Sequence, residues 1–237
     1  MARDSGSLSI RIARQPDDRS CGPTCLQAVY RHFGDERSLD DLVASIPQLP
    51  TGGTLAVQLG CHALRSGYEC SLVTYNLQLF DPTWFAPDVD LGARLRAQAE
   101  RKPDDGRLHA ATEKYLDYLQ LGGTVEHHEL TPFLLDRYLS EGLPILTGLS
   151  ATYLYDGPRE TPDDDRADDV AGEPVGHFVV LSGSDVKART VVVADPLHDE
   201  GTGPLSTVPF ARVKSAILLG VLTYDANLLI VRPRSKA

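Results

Sequence analysis

Hydrophobic and polar positions along this chain switch between a helical period and a strand period, with helical segments first and strands later. Leu8 to Ala13 reads as a short strand, followed by the polar turn Gln15-Pro-Asp-Asp-Arg-Ser20. Cys21 to Phe33 sets Cys25, Ala28, Val29 and His32 or Phe33 on one side at helical spacing, and Gly34 stops it. Ser38, with Asp41 three residues on, starts a second short helix in the manner of a capping box. A third helix spans Thr54 to Ser66, between Gly52-Gly53 and Gly67, and a strand follows over Cys70 to Tyr75.

The middle of the chain predicts a loop over Asp81 to Pro87 and two polar amphipathic helices, Leu91 to Arg101 and Leu108 to Leu121. A strand over Thr124 to Leu130 leads to Thr131-Pro132, an N-cap followed by proline at the first helical position, and a helix to about Ser140. Strands then dominate: Leu143 to Leu149, His177 to Ser182, Thr190 to Ala194 and Val221 to Val231, with one helix near Phe210 to Leu218. Helices first and a sheet of short connections later argue α+β rather than a doubly wound sheet. The expectation is one domain over residues 1–237, with N-terminal helices packed on an antiparallel sheet and extra material at about 81–123 and 156–173.

Composition narrows the function classes. The 237 residues are 42% hydrophobic and 24% charged, as in ordinary globular proteins. No apolar run reaches the length of a membrane span, and the N-terminus lacks the apolar stretch of a signal peptide, so a cytoplasmic protein is expected. A net charge of −10 disfavours a nucleic-acid partner. Between Asp156 and Glu173, eight acids and two arginines supply −6 of that charge. That composition suits a solvated, mobile loop; the sharper reading is a lid or a selector of basic substrates, because it ends four residues before His177.

The four cysteines, Cys21, Cys25, Cys61 and Cys70, read as reduced thiols. Their spacing contains no C-x-x-C, and His127-His128 on a strand would face opposite ways, so no metal is expected. Cys21 stands apart. It opens an apolar helix, where unpaired backbone N–H groups and the helix dipole favour the nucleophilic thiolate. Gly22 leaves room for a substrate carbonyl and Pro23 suits a first turn. Gly176-His177 starts one apolar strand, and Asp195-Pro196 ends the next. Antiparallel pairing of those strands brings His177 and Asp195 to one sheet end, the arrangement of a Cys-His-Asp system in which imidazole takes the thiol proton and carboxylate holds the ring.

Gln15 to Gly34 together with Gly176 to Pro196 resembles the bacteriocin-processing peptidase family, family thirty-nine of the cysteine peptidases, within the papain-like superfamily. The resemblance implies a papain-like α+β fold and cofactor-independent hydrolysis of a peptide or peptide-like amide through a thioester. It implies Cys21 as nucleophile, His177 as base, Asp195 as its orienter, and Gln15 as an oxyanion donor beside the Cys21 N–H. Members that mature bacteriocins are commonly fused to membrane transport domains, of which this chain shows none. Two alternatives stay open: acyl transfer from the same thioester, and a non-catalytic peptide-binding module of the same fold. The oligomeric state is not legible. Among the other residues, Cys25 reads as core, Tyr153 and Tyr155 as half-buried anchors that could line a cleft, and Trp84 as cover for a hydrophobic edge. His198 is a less convincing rival base, and Gly52-Gly53 is too short for a phosphate loop.

Overall fold

The computed structural model describes residues 7–48, 53–162, 164–198 and 203–234. The N-terminal six residues of the signal-peptide reading, and Gly52 of the glycine pair, lie outside them. In chain order the elements are α1 (Cys21–His32), α2 (Leu39–Ser45), α3 (Ala56–Arg65), β1 (Tyr68–Thr74), α4 (Leu91–Arg101), α5 (Gly106–Gln120), β2 (Thr124–Glu126) and α6 (Pro132–Ser140). There follow β3 (Ile145–Ser150), α7 (Ala151–Tyr155), β4 (Gly176–Asp185), β5 (Thr190–Ala194), β6 (Leu205–Pro209), α8 (Phe210–Leu219) and β7 (Asn227–Pro233).

Most helix starts follow local side-chain chemistry. Ser38, Asp90, Asp105 and Thr131 each accept a hydrogen bond from a backbone N–H in the first turn of α2, α4, α5 and α6, satisfying donors that no intrahelical carbonyl can reach. Gly34 and Gly67, at φ of 80° and 89°, turn the chain out of α1 and α3 in a conformation that side chains resist.

The strands form one sheet in the order β2-β1-β7-β3-β4-β5-β6, parallel only between β1 and β2 and antiparallel elsewhere. Alternate residues of its central strands serve two cores. Leu146, Phe178, Val180, Leu229 and Val231 pack with α1 to α5, whereas Ile145, Val179, Leu181, Leu228 and Ile230 pack with α6 and α8. With both faces covered, β3 is buried at every position, which is why the central strands read as apolar runs. The architecture is the expected α+β, N-terminal helices on a mostly antiparallel sheet.

Six segments differ from expectation. Leu8 to Ala13 is extended but forms no strand; only Leu8 N–H reaches the sheet, donating to Ser182 O at 2.7 Å where a bulge offsets β4 from β5. The strand expected over Thr124 to Leu130 stops at Glu126, so His127 and His128 lie beyond it. Val221 to Val231 is broken: a 3-10 turn over Gly220–Thr223 and a left-handed Tyr224 precede β7. β6, an edge strand with half-exposed Leu205, and the five-residue α7 are additional, because neither carries enough apolar periodicity to register. The acidic segment is folded rather than featureless: Glu160 bridges to Ala167 and Glu173, and the Arg159 guanidinium donates to Asp169 O and Val170 O. The α4–α5 pair is likewise integrated, with Leu95, Leu108, Tyr115 and Tyr118 in the first core. Gly60 permits this, since a Cβ there would lie 2.7 Å from Tyr118 Cε2.

Candidate active site

The turn before α1 is organised by Asp17. Its carboxylate accepts from Arg19 N–H and Ser20 Oγ, and its carbonyl accepts from Gln15 Nε2 at 2.9 Å. The Ser20 hydrogen bond holds the Asp17 carboxyl below its usual value, against a small opposing effect of burial. Cys21 emerges at the first position of α1, only 8% exposed. The helix is buried through its first ten residues because it is wedged between α3 and β4. A Cβ on Gly22 would meet Leu59 at 3.3 Å and Phe178 at 3.4 Å. Gly22 thus serves close packing of α1, where the sequence suggested space for a substrate.

β4 and β5 pair antiparallel, with Val180 opposite Ala194, which sets His177 and Asp195 at the same sheet end. His177 Nε2 lies 2.8 Å from Asp195 Oδ1, a charge-assisted contact when the ring is protonated. The Cys21 thiol lines the same cleft as the ring and lies close enough to it to raise its pKa. Burial disfavours the charged imidazole, but the hydrogen bond to Asp195 and the nearby Cys21 and Asp195 charges outweigh it and push the His177 pKa up to about 9. Burial also opposes the Asp195 charge, yet His177 above all, with Tyr155 and Leu197 N–H, holds its carboxyl below the ordinary range.

Two further contacts tie the constellation together. Tyr155 Oη donates to Asp195 Oδ2, and its own ionisation is suppressed by burial and by that carboxylate. Tyr155 sits on α7, directly after β3, so α7 supplies a support for Asp195 that the sequence had placed only near the cleft. Gln15 N–H donates to Pro196 O at 3.0 Å, bringing the turn before Cys21 alongside the segment after Asp195. The Gln15 amide nitrogen donates one proton to Asp17 O and keeps a second; its Oε1 is buried without a partner among the described residues.

Cys21 and His177 face a cleft of about 210 Å³ whose lining includes Gly148, Gly176, Thr223 and Asp225. Gly148 and Gly176 keep it open against Asp225 and Thr223: a Cβ would approach Asp225 Oδ2 to 3.1 Å and Thr223 Oγ1 to 2.9 Å. Asp225 is the residue the sequence analysis missed. Its Oδ2 accepts from Ala56 N–H at 2.7 Å, capping α3 from the far end of the chain, and its Oδ1 accepts from Asn227 Nδ2. Complete burial pushes its carboxyl up to about 7, partly countered by those donors. The signal was present as Asp225-Ala-Asn227, polar residues beside an apolar run, but reading one continuous strand across it concealed the break.

The remaining candidates fall outside the constellation or at its margin. Cys25 is fully buried, with its Sγ directed to Phe178 O at 3.3 Å. His198 Nδ1 contacts Asp195 O rather than the carboxylate, at 2.8 Å. Trp84 packs partly buried against the first core. Tyr153 is 43% exposed and lies under the Arg212 guanidinium. Among the described residues no group of three or more His, Cys, Asp or Glu side chains is arranged to hold a metal ion, and no helix is long and apolar enough to cross a membrane.

No protein-family model matches the chain, and no curated protein matches it. Solved structures do. A Bacillus anthracis protein described as a C39-like peptidase aligns at a TM-score of 0.56 and 15% identity, over 99% of this chain and 100% of that one. The peptidase domain of Streptococcus ComA, a bifunctional ABC transporter of a quorum-sensing pathway, aligns at 0.45 and 14%, over 95% and 99%. Xylellain, a cysteine protease from Xylella fastidiosa, aligns at 0.43 and 15%, over 97% and 85%. The first of these likenesses carries the fold: the chain shares the architecture of the Bacillus anthracis C39-like peptidase structure.

Proposed function

We propose that the protein is a cysteine peptidase or amidase. The observation that carries the reading is one buried imidazole with Asp195 at 2.8 Å on Nε2 and a thiol from a helix start lining the same open cleft, near enough to influence the ring's charge. In this reading His177 takes the Cys21 proton and Cys21 Sγ attacks the amide carbonyl. The oxyanion is met by the Cys21 N–H and the second amide proton of Gln15. His177 then protonates the leaving amine, giving a thioester, and activates water to hydrolyse it. Asp195, held in turn by Tyr155 and Leu197 N–H, orients the ring and favours its charged form. The substrate is a peptide or peptide-like amide, the catalytic unit is the single domain expected above, and no cofactor takes part.

The test is Cys21→Ala. It should abolish release of amine from a library of internally quenched peptides while leaving the circular dichroism spectrum and the unfolding midpoint near wild type. Turnover by the purified variant at the wild-type rate overturns the reading.

A further inference from the structure

The cleft that holds Cys21 and His177 is also lined by Asp18, Thr54 and Arg107. Arg107 belongs to α5, within the segment the sequence marks as additional, and it is the one arginine or lysine of that lining among the described residues. Its guanidinium lies 5.6 Å from the centre of the Tyr224 ring, an attraction that keeps it beside the Thr223–Asp225 wall. Among the described residues no carboxylate lies within 4.0 Å of it. The acids that share the cleft are otherwise engaged or placed. Asp225 is buried and satisfied by Ala56 N–H and Asn227, and its raised pKa lowers its charge at neutral pH. Asp18 belongs to the turn before Cys21, close enough to Glu160 of the acidic segment to help raise that carboxyl. A second observation falls in the same place: Thr54, 8% exposed and part of the lining, has a buried hydroxyl with no hydrogen-bond partner among the described residues.

We infer that Arg107 is a specificity-determining residue: it receives a carboxylate of the substrate, an acidic side chain or a free C-terminus, with the Thr54 hydroxyl as a second donor. An exposed guanidinium without an internal partner offers two parallel donors in the geometry a carboxylate fits, and a hydroxyl can add a third. Asp18, in the same lining, repels a carboxylate placed near it, so the attraction is confined to the part of the cleft that Arg107 reaches. The term substrate rests on the peptidase reading; the placement of a cation beside the thiol does not.

The experiment separates the two. Cys21 is alkylated with N-iodoacetylglycine and N-iodoacetyl-β-alanine and, as neutral controls, their amides. The thiolate displaces iodide in each case, and the rate constants are read by peptide-mapping mass spectrometry. For the better-fitting acid, the carboxylate-to-amide rate ratio should be about three- to ten-fold higher in wild type than in Arg107→Ala. Arg107→Glu should fall below Arg107→Ala, Arg94→Ala on α4 should match wild type, and added salt should compress the differences. In parallel, quenched peptides carrying Asp, Ala or Lys at successive positions should show an acidic preference at one position that Arg107→Ala removes and Arg107→Glu reverses, with turnover of the Ala peptides retained. Equal alkylation ratios in wild type and Arg107→Ala overturn the inference. Different ratios without any peptide turnover uphold the carboxylate site and overturn only the peptidase reading. A Cys21 that takes neither reagent overturns both.

Discussion

Asp195→Asn removes one negative charge from a buried site while nearly preserving its volume. In the wild type the His177 ring is lifted from an ordinary 6.5 to about 9. At about 1.4 kcal/mol per tenfold change, that rise is worth about 3 kcal/mol in favour of the charged ring. The folded value lies above the unfolded one, so this stabilisation is fully present below pH 6.5 and is lost as the pH rises through about 9. Burial, the largest influence on the ring, lowers its pKa, and the hydrogen bond the ring donates to Asp195 is the largest influence raising it. Asparagine therefore leaves burial mainly opposed by Cys21 alone, and the His177 pKa falls by most of its elevation. Urea unfolding followed through Trp84, the chain's one tryptophan, supplies the readout. Between pH 6.5 and about 9 the wild type should lose up to about 3 kcal/mol of stability, whereas Asp195→Asn should start lower and change little. Direct titration of the ring by NMR checks the same shift. Parallel stability curves, together with a ring that still titrates near its wild-type value in the variant, would refute the reasoning.

Two further outcomes test the cysteines and the packing. Iodoacetamide at about pH 7.5 should label Cys21 first. Burial pushes Cys61 up to about 11 and Cys70 to about 12, leaving roughly one thiolate in a thousand or fewer at each, and pushes Cys25 well above its ordinary value. Equal labelling of all four in a peptide map sinks that expectation. Gly60→Ala should destabilise the protein by about 1–3 kcal/mol, because the new methyl meets fully buried Tyr118 at 2.7 Å, an overpacking larger than the helix-propensity gain of at most about 1 kcal/mol. An unchanged or raised urea midpoint contradicts it.

Much of the local structure was legible because it is made by neighbours. Ser38 and Thr131 announce α2 and α6 through side chains that reach only three residues along, and β5 was bounded correctly at Thr190–Ala194 by its apolar run. The failures share a cause. Ile10 and Ile12 are buried as a strand's inner residues would be, yet pairing depends on an open edge, and the sheet offers that segment one carbonyl at a bulge. Val221 to Val231 looked continuous because hydrophobicity does not reveal a left-handed residue such as Tyr224.

The sequence by itself determined the α+β class, the start of α1 at Cys21, and the pairing of two strands that sets His177 beside Asp195. Each depends on periodicity, a turn, or a short hairpin. Tertiary structure alone decided that the Cys21 helix start meets that strand pair, that Tyr155 supports Asp195, and that Asp225 caps α3 across 169 residues. It also made α5 a wall of the cleft carrying Arg107. The physical reason is range: capping and alternation act over a few residues, whereas a buried carboxylate finds its donors only when packing from both faces of the sheet has closed around it.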